Sequence, residues 1–265
     1  MISYPKISIV TVVLNDADNF IKTVNSILEQ TYNNIEYIVI DGGSTDGTLT
    51  IMNNYKDLID RSISKRDDGL YDAMNKGIDI ASGDWIIFMN AGDVFVNNDI
   101  LTTIFVDNDF IDVDILYGDT IVYYPDFERF QPSGKIENID YGMQFSHQST
   151  FISLDYHKNY KYNIDYKICA DYYFLYNAFI QKTKFKYLGK SVAKIKSGGL
   201  SDKNREYVFW SYWRIVGFSK MNLNFFYLFR IFESLLKRVV KMLLPNTINN
   251  TIMKIMWKLK NKFLY

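Results

Sequence analysis

The chain has 265 residues, 48% of them hydrophobic and 17% aromatic, which suits one large folded domain with an appendage and excludes a disordered polypeptide. Its 30 Lys and Arg balance 30 Asp and Glu, yet the balance hides an asymmetry. From Arg205 to Tyr265 there are 11 basic and 2 acidic residues, a net +9, and the preceding part carries −9. The single cysteine, Cys169, excludes an intrachain disulfide and accords with a reducing compartment.

The opening residues, MISYPKISIV, lack the basic stretch, apolar run and cleavage site of a secretory leader, so none is expected. No run approaches the ~18 uncharged apolar residues of a membrane-spanning helix. Residues 6–13 (KISIVTVV) are β-branched and predict a buried strand. From Asp16 to Gln30, Phe20, Val24, Ile27 and Leu28 recur at helical spacing. Ile35–Ile40 predicts a second buried strand, stopping at Asp41-Gly42-Gly43-Ser44-Thr45-Asp46-Gly47. A helix is expected from Thr45 or Asp46, with Ser44 as its N-cap. A short strand near Ile59–Ser64, a helix over about Leu70–Ala81 and a buried strand over Trp85–Met89 follow, the last ending at Asn90-Ala91-Gly92-Asp93.

This alternation predicts a parallel sheet with helices on both faces. Ligands of such sheets sit beyond the carboxyl ends of the strands. The polar clusters fall there: Asp41, Asp67-Asp68, and Asn90 with Asp93. Further on, Ile115–Tyr123 and Thr150–Ser153 read as strands and Cys169–Gln181 as a helix. Lys184–Gly189 and Ser191–Lys196 read as a last pair of strands. Beyond Asn204 the composition changes. Arg205–Lys220 is rich in aromatics, and Leu223–Leu244 reads as a basic amphipathic helix, ended by Pro245-Asn246. Ile248–Phe263 reads as a second one. Such helices suit an anionic membrane surface. Nucleic acid is not expected, since no nucleic-acid-binding motif accompanies the charge.

Each polar cluster has a chemical and a bland reading. Asp41 at a strand end can accept hydrogen bonds from a base or ribose while the glycines let a ligand approach, or it can serve an ordinary turn. Asp68, Asp72 and Asn75 share one face of a helix near its start, where the helix dipole alone favours acids. Asp93 can hold a divalent cation on a diphosphate, or belong to a polar turn. Asp171, near a helix start, can be a general base or a cap. Cys169 beside it reads as a small packing residue.

Taken together, IVTVVLN (9–15), DGGSTDGT (41–48), DGLYDAMNKG (68–77), SGDWIIFMNAGD (82–93), HQSTF (147–151) and ADYYF (170–174) resemble glycosyltransferase family 2, over roughly residues 6–200. The form of these motifs resembles the bacterial subgroup that builds O-antigen, capsule and exopolysaccharide repeat units. The resemblance implies an α/β GT-A fold with a mixed, mainly parallel, Rossmann-like sheet. Residues 1–204 would form the glycosyltransferase domain, with 1–93 its nucleotide-sugar half and 94–204 its acceptor half; the basic amphipathic composition of 205–265, outside the resemblance, predicts a membrane-associating helical extension. It also implies roles. Thr11 and Val13 line the base pocket, Asp41 contacts the base, commonly uracil, and Asp68 helps hold the nucleoside, with Asn75 on the same helix. Asn90 and Asp93 occupy the place of the family's Asp-x-Asp motif, which holds Mg²⁺ or Mn²⁺. The chain departs from it there, with Asn90 for the first acid and Gly92 before Asp93. Asp171 matches the catalytic base, and His147 and Gln148 face the acceptor or the diphosphate.

The expected activity is inverting transfer of a sugar from a UDP-sugar to a hydroxyl of a polyprenyl-diphosphate-linked saccharide. The expected address is cytoplasmic, peripheral on the inner face of the cell membrane, through residues 222–265. The alternatives are a polyprenyl-phosphate sugar synthase and a non-catalytic, membrane-attached scaffold that binds nucleotide sugars.

Overall fold

The computed structural model describes residues 4–106 and 108–243. The chain divides into two compact units, one ending at Asp202 and the other beginning at Lys203.

The first unit starts with β1 (Ile7–Val13), every residue of which is buried, as its β-branched sequence requires. Helix α1 (Ala17–Leu28) buries Phe20, Thr23, Val24 and Ile27, one stripe at helical spacing. Then come β2 (Ile35–Asp41), α2 (Thr48–Asn54), β3 (Arg61–Ser64), α3 (Leu70–Ile80) and β4 (Trp85–Phe88). Short elements follow: β5 (Val94–Phe95), α4 (Ile100–Phe105), β6 (Ile115–Tyr124), β7 (Phe127–Gln131), β8 (Thr150–Ser153) and α5 (Leu154–Asn159). The unit closes with α6 (Ala170–Ile180) and β9 (Phe185–Lys196), and the single turn α7 (Leu200–Lys203) spans the boundary.

Among the described residues, nine strands join one sheet in the order β3-β2-β1-β4-β8-β6-β9-β5, with β7 also paired to β6. The first four run parallel, so the turns after β1, β2 and β4 open on one edge. Antiparallel β8 then reverses the direction, and only β6 and β9 pair in parallel beyond it. The sheet is therefore mixed, with its parallel character concentrated in the first ninety residues. Its core joins Ile7, Ile9, Phe20, Val24, Tyr37, Val39, Ile87 and Phe105, all at most 2% exposed.

Three local expectations need correction. Helix α2 starts at Thr48, because the Asp41 carboxylate first holds the backbone N–H groups of Gly43 and Ser44 in a turn. Ser44 is not its cap; the hydroxyl accepts from the backbone N–H of Asn15 at 2.8 Å. The expected last pair of strands is one strand, β9, which passes Gly189 at φ +64° with a bulge opposite Asp119.

In the second unit, α8 (Arg205–Val216) and α9 (Met221–Leu243) pack through Trp213, Leu223 and Tyr227. Gly217, at φ +88°, turns the chain between them. The Trp213 indole N–H donates to Asn224 Oδ1 at 2.7 Å. Among the described residues no helix is long and apolar enough to cross a membrane. The helix expected over 248–263 lies outside the described residues.

Candidate active site

The carboxyl ends of β1, β2 and β4 carry the donor motifs, and the structure sorts them into scaffold and exposed groups. Asp41 is fully buried. Its carboxylate accepts from the backbone N–H of Gly43 (3.2 Å) and Ser44 (3.1 Å) and from the Ser64 hydroxyl (2.7 Å). Asp41 thus shapes the loop from within the chain. Thr11 is also buried, its hydroxyl accepting from Tyr37. The Val13 carbonyl accepts from the Gly42 N–H at 2.9 Å. Both residues form the floor of the edge. Gly42 lets the Asp67 side chain come close: a Cβ there would lie 2.5 Å from Asp67 Oδ2 and displace that carboxylate. Asp67 Oδ1 in turn accepts from the Gly69 N–H, and Asp68 is left exposed.

Asn75 reaches across to the second half of the unit. Its amide donates to the Tyr162 carbonyl at 2.8 Å and accepts from the Tyr162 N–H at 3.0 Å. That two-way clamp ties α3 to the loop before α6 and leaves neither amide atom unpartnered.

The turn Asn90–Asp93 is fixed by Thr23 and Tyr123. The buried Thr23 hydroxyl accepts from the Gly92 N–H (2.9 Å) and donates to the Asp93 carbonyl (2.8 Å). Tyr123 donates its hydroxyl to the Gly92 carbonyl at 2.8 Å. Gly92 sits at φ +98°, where a side chain would strain the backbone. Two buried oxygens of this turn, Asn90 Oδ1 and Asp93 Oδ2, have no hydrogen-bond partner. Burial raises the Asp93 pKa to about 7, against the opposing pull of His147 and a hydrogen bond from Gln148. Among the described residues no group of three or more His, Cys, Asp and Glu could hold a metal ion by itself. The two orphaned oxygens do fit a hard cation whose other ligands come from a diphosphate.

His147 and Asp171 lie against this turn. His147 Nε2 is 3.2 Å from the Asn90 amide nitrogen, and His147 Nδ1 is 3.1 Å from Asp171 Oδ2. Since a carboxylate accepts, His147 Nδ1 donates to Asp171, and the ring bridges the Asn90 amide and the Asp171 carboxylate. Asp171 Oδ1 accepts from the Tyr71 hydroxyl and from the Tyr172 N–H, both at 2.8 Å. Three donors thus orient Asp171 and leave Oδ2 with a spare lone pair. Burial, and next the Asp171 charge, push the Tyr71 hydroxyl pKa well above its usual value, so it remains a donor.

Of the expected residues, Asn90, Asp93, His147, Gln148 and Asp171 therefore meet in one place. Thr23 and Tyr71 complete it and were not singled out from the sequence. Thr23 had a signal, a hydroxyl inside the apolar stripe of α1. Tyr71 lies within the DGLYDAMNKG run but has no distinguishing pattern of its own.

A held carboxylate beside a turn with two unpartnered buried oxygens, at the carboxyl edge of a mixed α/β sheet, is an arrangement suited to a glycosyl transferase. The comparisons carry this to a family. The model of "Glycosyl transferase family 2" matches residues 8–180, and the chain belongs to that family. A "PGL/p-HBAD biosynthesis glycosyltransferase" of Mycobacterium bovis (strain BCG / Pasteur 1173P2) is 32% identical over 206 residues, covering 75% of this chain and 80% of the relative. An uncharacterized glycosyltransferase of Mycobacterium tuberculosis (strain CDC 1551 / Oshkosh) is 40% identical over 102 residues, 38% of this chain and 39% of that one.

Among solved structures, residues 1–349 of S. aureus TarS in complex with UDP superpose with a TM-score of 0.61 at 19% identity. That match covers 80% of this chain and 64% of the TarS chain, just under two thirds of its length. The mannosyltransferase PcManGT from Pyrobaculum calidifontis, with GDP-Man and Mn²⁺, gives a TM-score of 0.63 at 11% identity, covering 97% and 81%. At these identities the solved structures share the fold.

Proposed function

We propose that this glycosyltransferase moves a sugar, with inversion, from a UDP-sugar to a hydroxyl of a polyprenyl-diphosphate-linked saccharide in surface-polysaccharide synthesis. The observation that carries it is the continuous line Asn90–His147–Asp171, which ties the turn for a diphosphate to an oriented carboxylate. Asp171 Oδ2 takes the proton from the acceptor hydroxyl as that oxygen bonds to the anomeric carbon. The bond from the anomeric carbon to the diphosphate breaks on the opposite face, so the configuration inverts. Asp93 Oδ2 and Asn90 Oδ1 would hold the Mg²⁺ or Mn²⁺, whose chemistry there is to neutralise charge on the departing diphosphate. Tyr71, the Tyr172 N–H and His147 keep the carboxylate in one rotamer. Asp68, exposed beside the edge, remains free to hold the nucleoside.

Three donors on Asp171 favour a hydroxyl acceptor over an ionised polyprenyl phosphate, which would need no base. The similar TarS and PcManGT structures contain UDP and GDP-Man respectively, which supports a nucleotide-sugar donor, and the Mn²⁺ of the second supports a cation. Uracil as the base rests on the family resemblance. We place the reaction at the cytoplasmic face of the cell membrane, where a lipid-linked acceptor would be presented.

The test is turnover of UDP-sugars by the full chain with Mn²⁺ or Mg²⁺ and a lipid-linked acceptor. Asp171→Asn is expected to lower kcat by about 10²–10⁴-fold, with UDP binding by calorimetry unchanged. Undiminished transfer would overturn the base, and absent UDP binding with either cation would overturn the donor. Transfer onto bare polyprenyl phosphate alone would favour the synthase.

A further inference from the structure

Helix α9 is apolar on two opposite sides. Leu223 and Tyr227 are at most 1% exposed and pack with Trp213 of α8. On the far side Phe225, Leu228, Phe229, Phe232, Leu236 and Val239 are 51–68% exposed. Their spacing from Phe225, by 3, 4, 7, 11 and 14 residues, places them in one continuous stripe. At 1.5 Å per residue the stripe runs roughly 20 Å, an apolar surface larger than isolated exposed side chains account for.

The charges beside it are one-sided. The segment from Arg205 onward has only two acids, Glu206 and Glu233. Both are engaged within the unit: Glu233 with Arg230 and Lys237, Glu206 with Arg238 at 4.0 Å. Arg230 also lies over the Phe209 ring, 4.8 Å from its centre. The segment as a whole thus carries 11 basic residues against these two acids.

We propose that this face of α9 docks on an anionic phospholipid bilayer, the helix lying in the interface with its Phe and Leu side chains among the acyl chains. The basic excess fits anionic headgroups. The same excess opposes a second copy of the chain, because two such segments would face each other with like charge. An apolar stripe on a helix unable to span the bilayer is the pattern of one lying in its plane. The proposal deepens the membrane address given above. Its test reads lipid binding with no donor present, so its failure leaves the transfer reading standing.

The full chain is sedimented with vesicles of phosphatidylcholine alone or mixed with phosphatidylglycerol. Wild type is expected to pellet with the mixed vesicles, less with the neutral ones, and less in high salt. Phe229→Glu combined with Phe232→Glu is expected to weaken pelleting by about ten-fold or more, with UDP binding and circular dichroism unchanged. Leu236→Cys carrying an environment-sensitive fluorophore is expected to shift to the blue on mixed vesicles, and Lys237→Cys much less. The native Cys169 is buried and does not compete for label. Equal pelleting by wild type and the double variant overturns the proposal, as does a wild type that stays in solution. A concentration-dependent dimer abolished by the double variant, with no vesicle binding, overturns it in favour of a second copy.

Discussion

Two buried carboxylates at opposite ends of the same strands meet opposite fates. Glu36, 2% exposed near the start of β2, accepts from the Ser8 hydroxyl (2.6 Å) and from the Ser82 N–H and hydroxyl (2.7 Å each). Arg61 and Lys6 stand 3.2 and 3.6 Å away. Asp93, 6% exposed in the turn after β4, keeps Oδ2 without a partner. Burial pushes both pKa values up. At Glu36 the hydrogen bonds of Ser8 and Ser82 and the Lys6 charge outweigh it, and the pKa falls below its usual 4.5. At Asp93 burial wins and the pKa climbs to about 7. A carboxylate whose partners all come from the chain is scaffold. One left half-partnered, at the edge where ligands bind, has a place for something the chain does not supply.

The comparison breaks most visibly at Glu36. Glu36→Ala leaves the Ser8 hydroxyl and the Ser82 N–H and hydroxyl without their acceptor, and is expected to cost about 3–5 kcal/mol in urea unfolding at neutral pH. Because the native pKa is depressed, this stability is present above about pH 4.5 and is lost as pH falls through the folded value. The deficit of the variant should therefore shrink in acid. UDP binding per folded molecule is expected to stay unchanged. A variant as stable as wild type at pH 7 would show that the network contributes nothing net.

Asp93→Asn tests the other end, with the opposite sign. A carboxyl whose native pKa is raised from 3.8 to about 7 supports folding fully below the unfolded pKa, and this is lost as pH rises through the native value. In chelator at pH 8 the variant is expected to be more stable than wild type by as much as about 4 kcal/mol, and near pH 4 to differ little. Adding Mn²⁺ with UDP should reverse the order, raising the melting temperature of wild type and not of the variant. Equal responses to Mn²⁺ would remove Asp93 from the cation site.

How far this pattern is legible in the sequence differs along the chain. The elements from Ile7 to Phe88 are read within a few residues, because buried β-branched runs and a helical stripe each repeat over a full element. β5, α4, β7 and α5 are two to six residues long, too short for a period to emerge. At the site, sequence position brings Asn90, Asp93 and Asp171 to one place but cannot say which polar atoms the fold itself consumes. Asp41 and Asn75 look like ligand groups in sequence, and both turn out to hold backbone N–H groups. His147 shows the converse: only the fold, by bringing residues 57 and 24 positions apart to within 3.2 and 3.1 Å, makes it a link between Asn90 and Asp171.

The smallest expected effect lies one layer behind Asp93 and sharpens what placing an unsatisfied carboxylate requires. The Thr23 hydroxyl is fully buried and does for the turn what Ser8 does for Glu36, but through the backbone: it accepts from the Gly92 N–H and donates to the Asp93 carbonyl. Thr23→Val keeps the shape and removes both bonds, and Thr23→Ser keeps the bonds and removes a methyl. Loss of one buried hydrogen-bonding group costs about 1–3 kcal/mol. Part of that loss should appear as freedom of the turn, because the Tyr123 hydroxyl still holds the Gly92 carbonyl and limits the damage to stability. Thr23→Val is thus expected to weaken Mn²⁺-dependent UDP binding several-fold while UDP binding without a cation is unchanged. Thr23→Ser should restore it. If the two variants bind Mn²⁺ and UDP equally well, the position of Asp93 is set by strand β4 and Gly92 alone, and α1 serves only to cover the sheet.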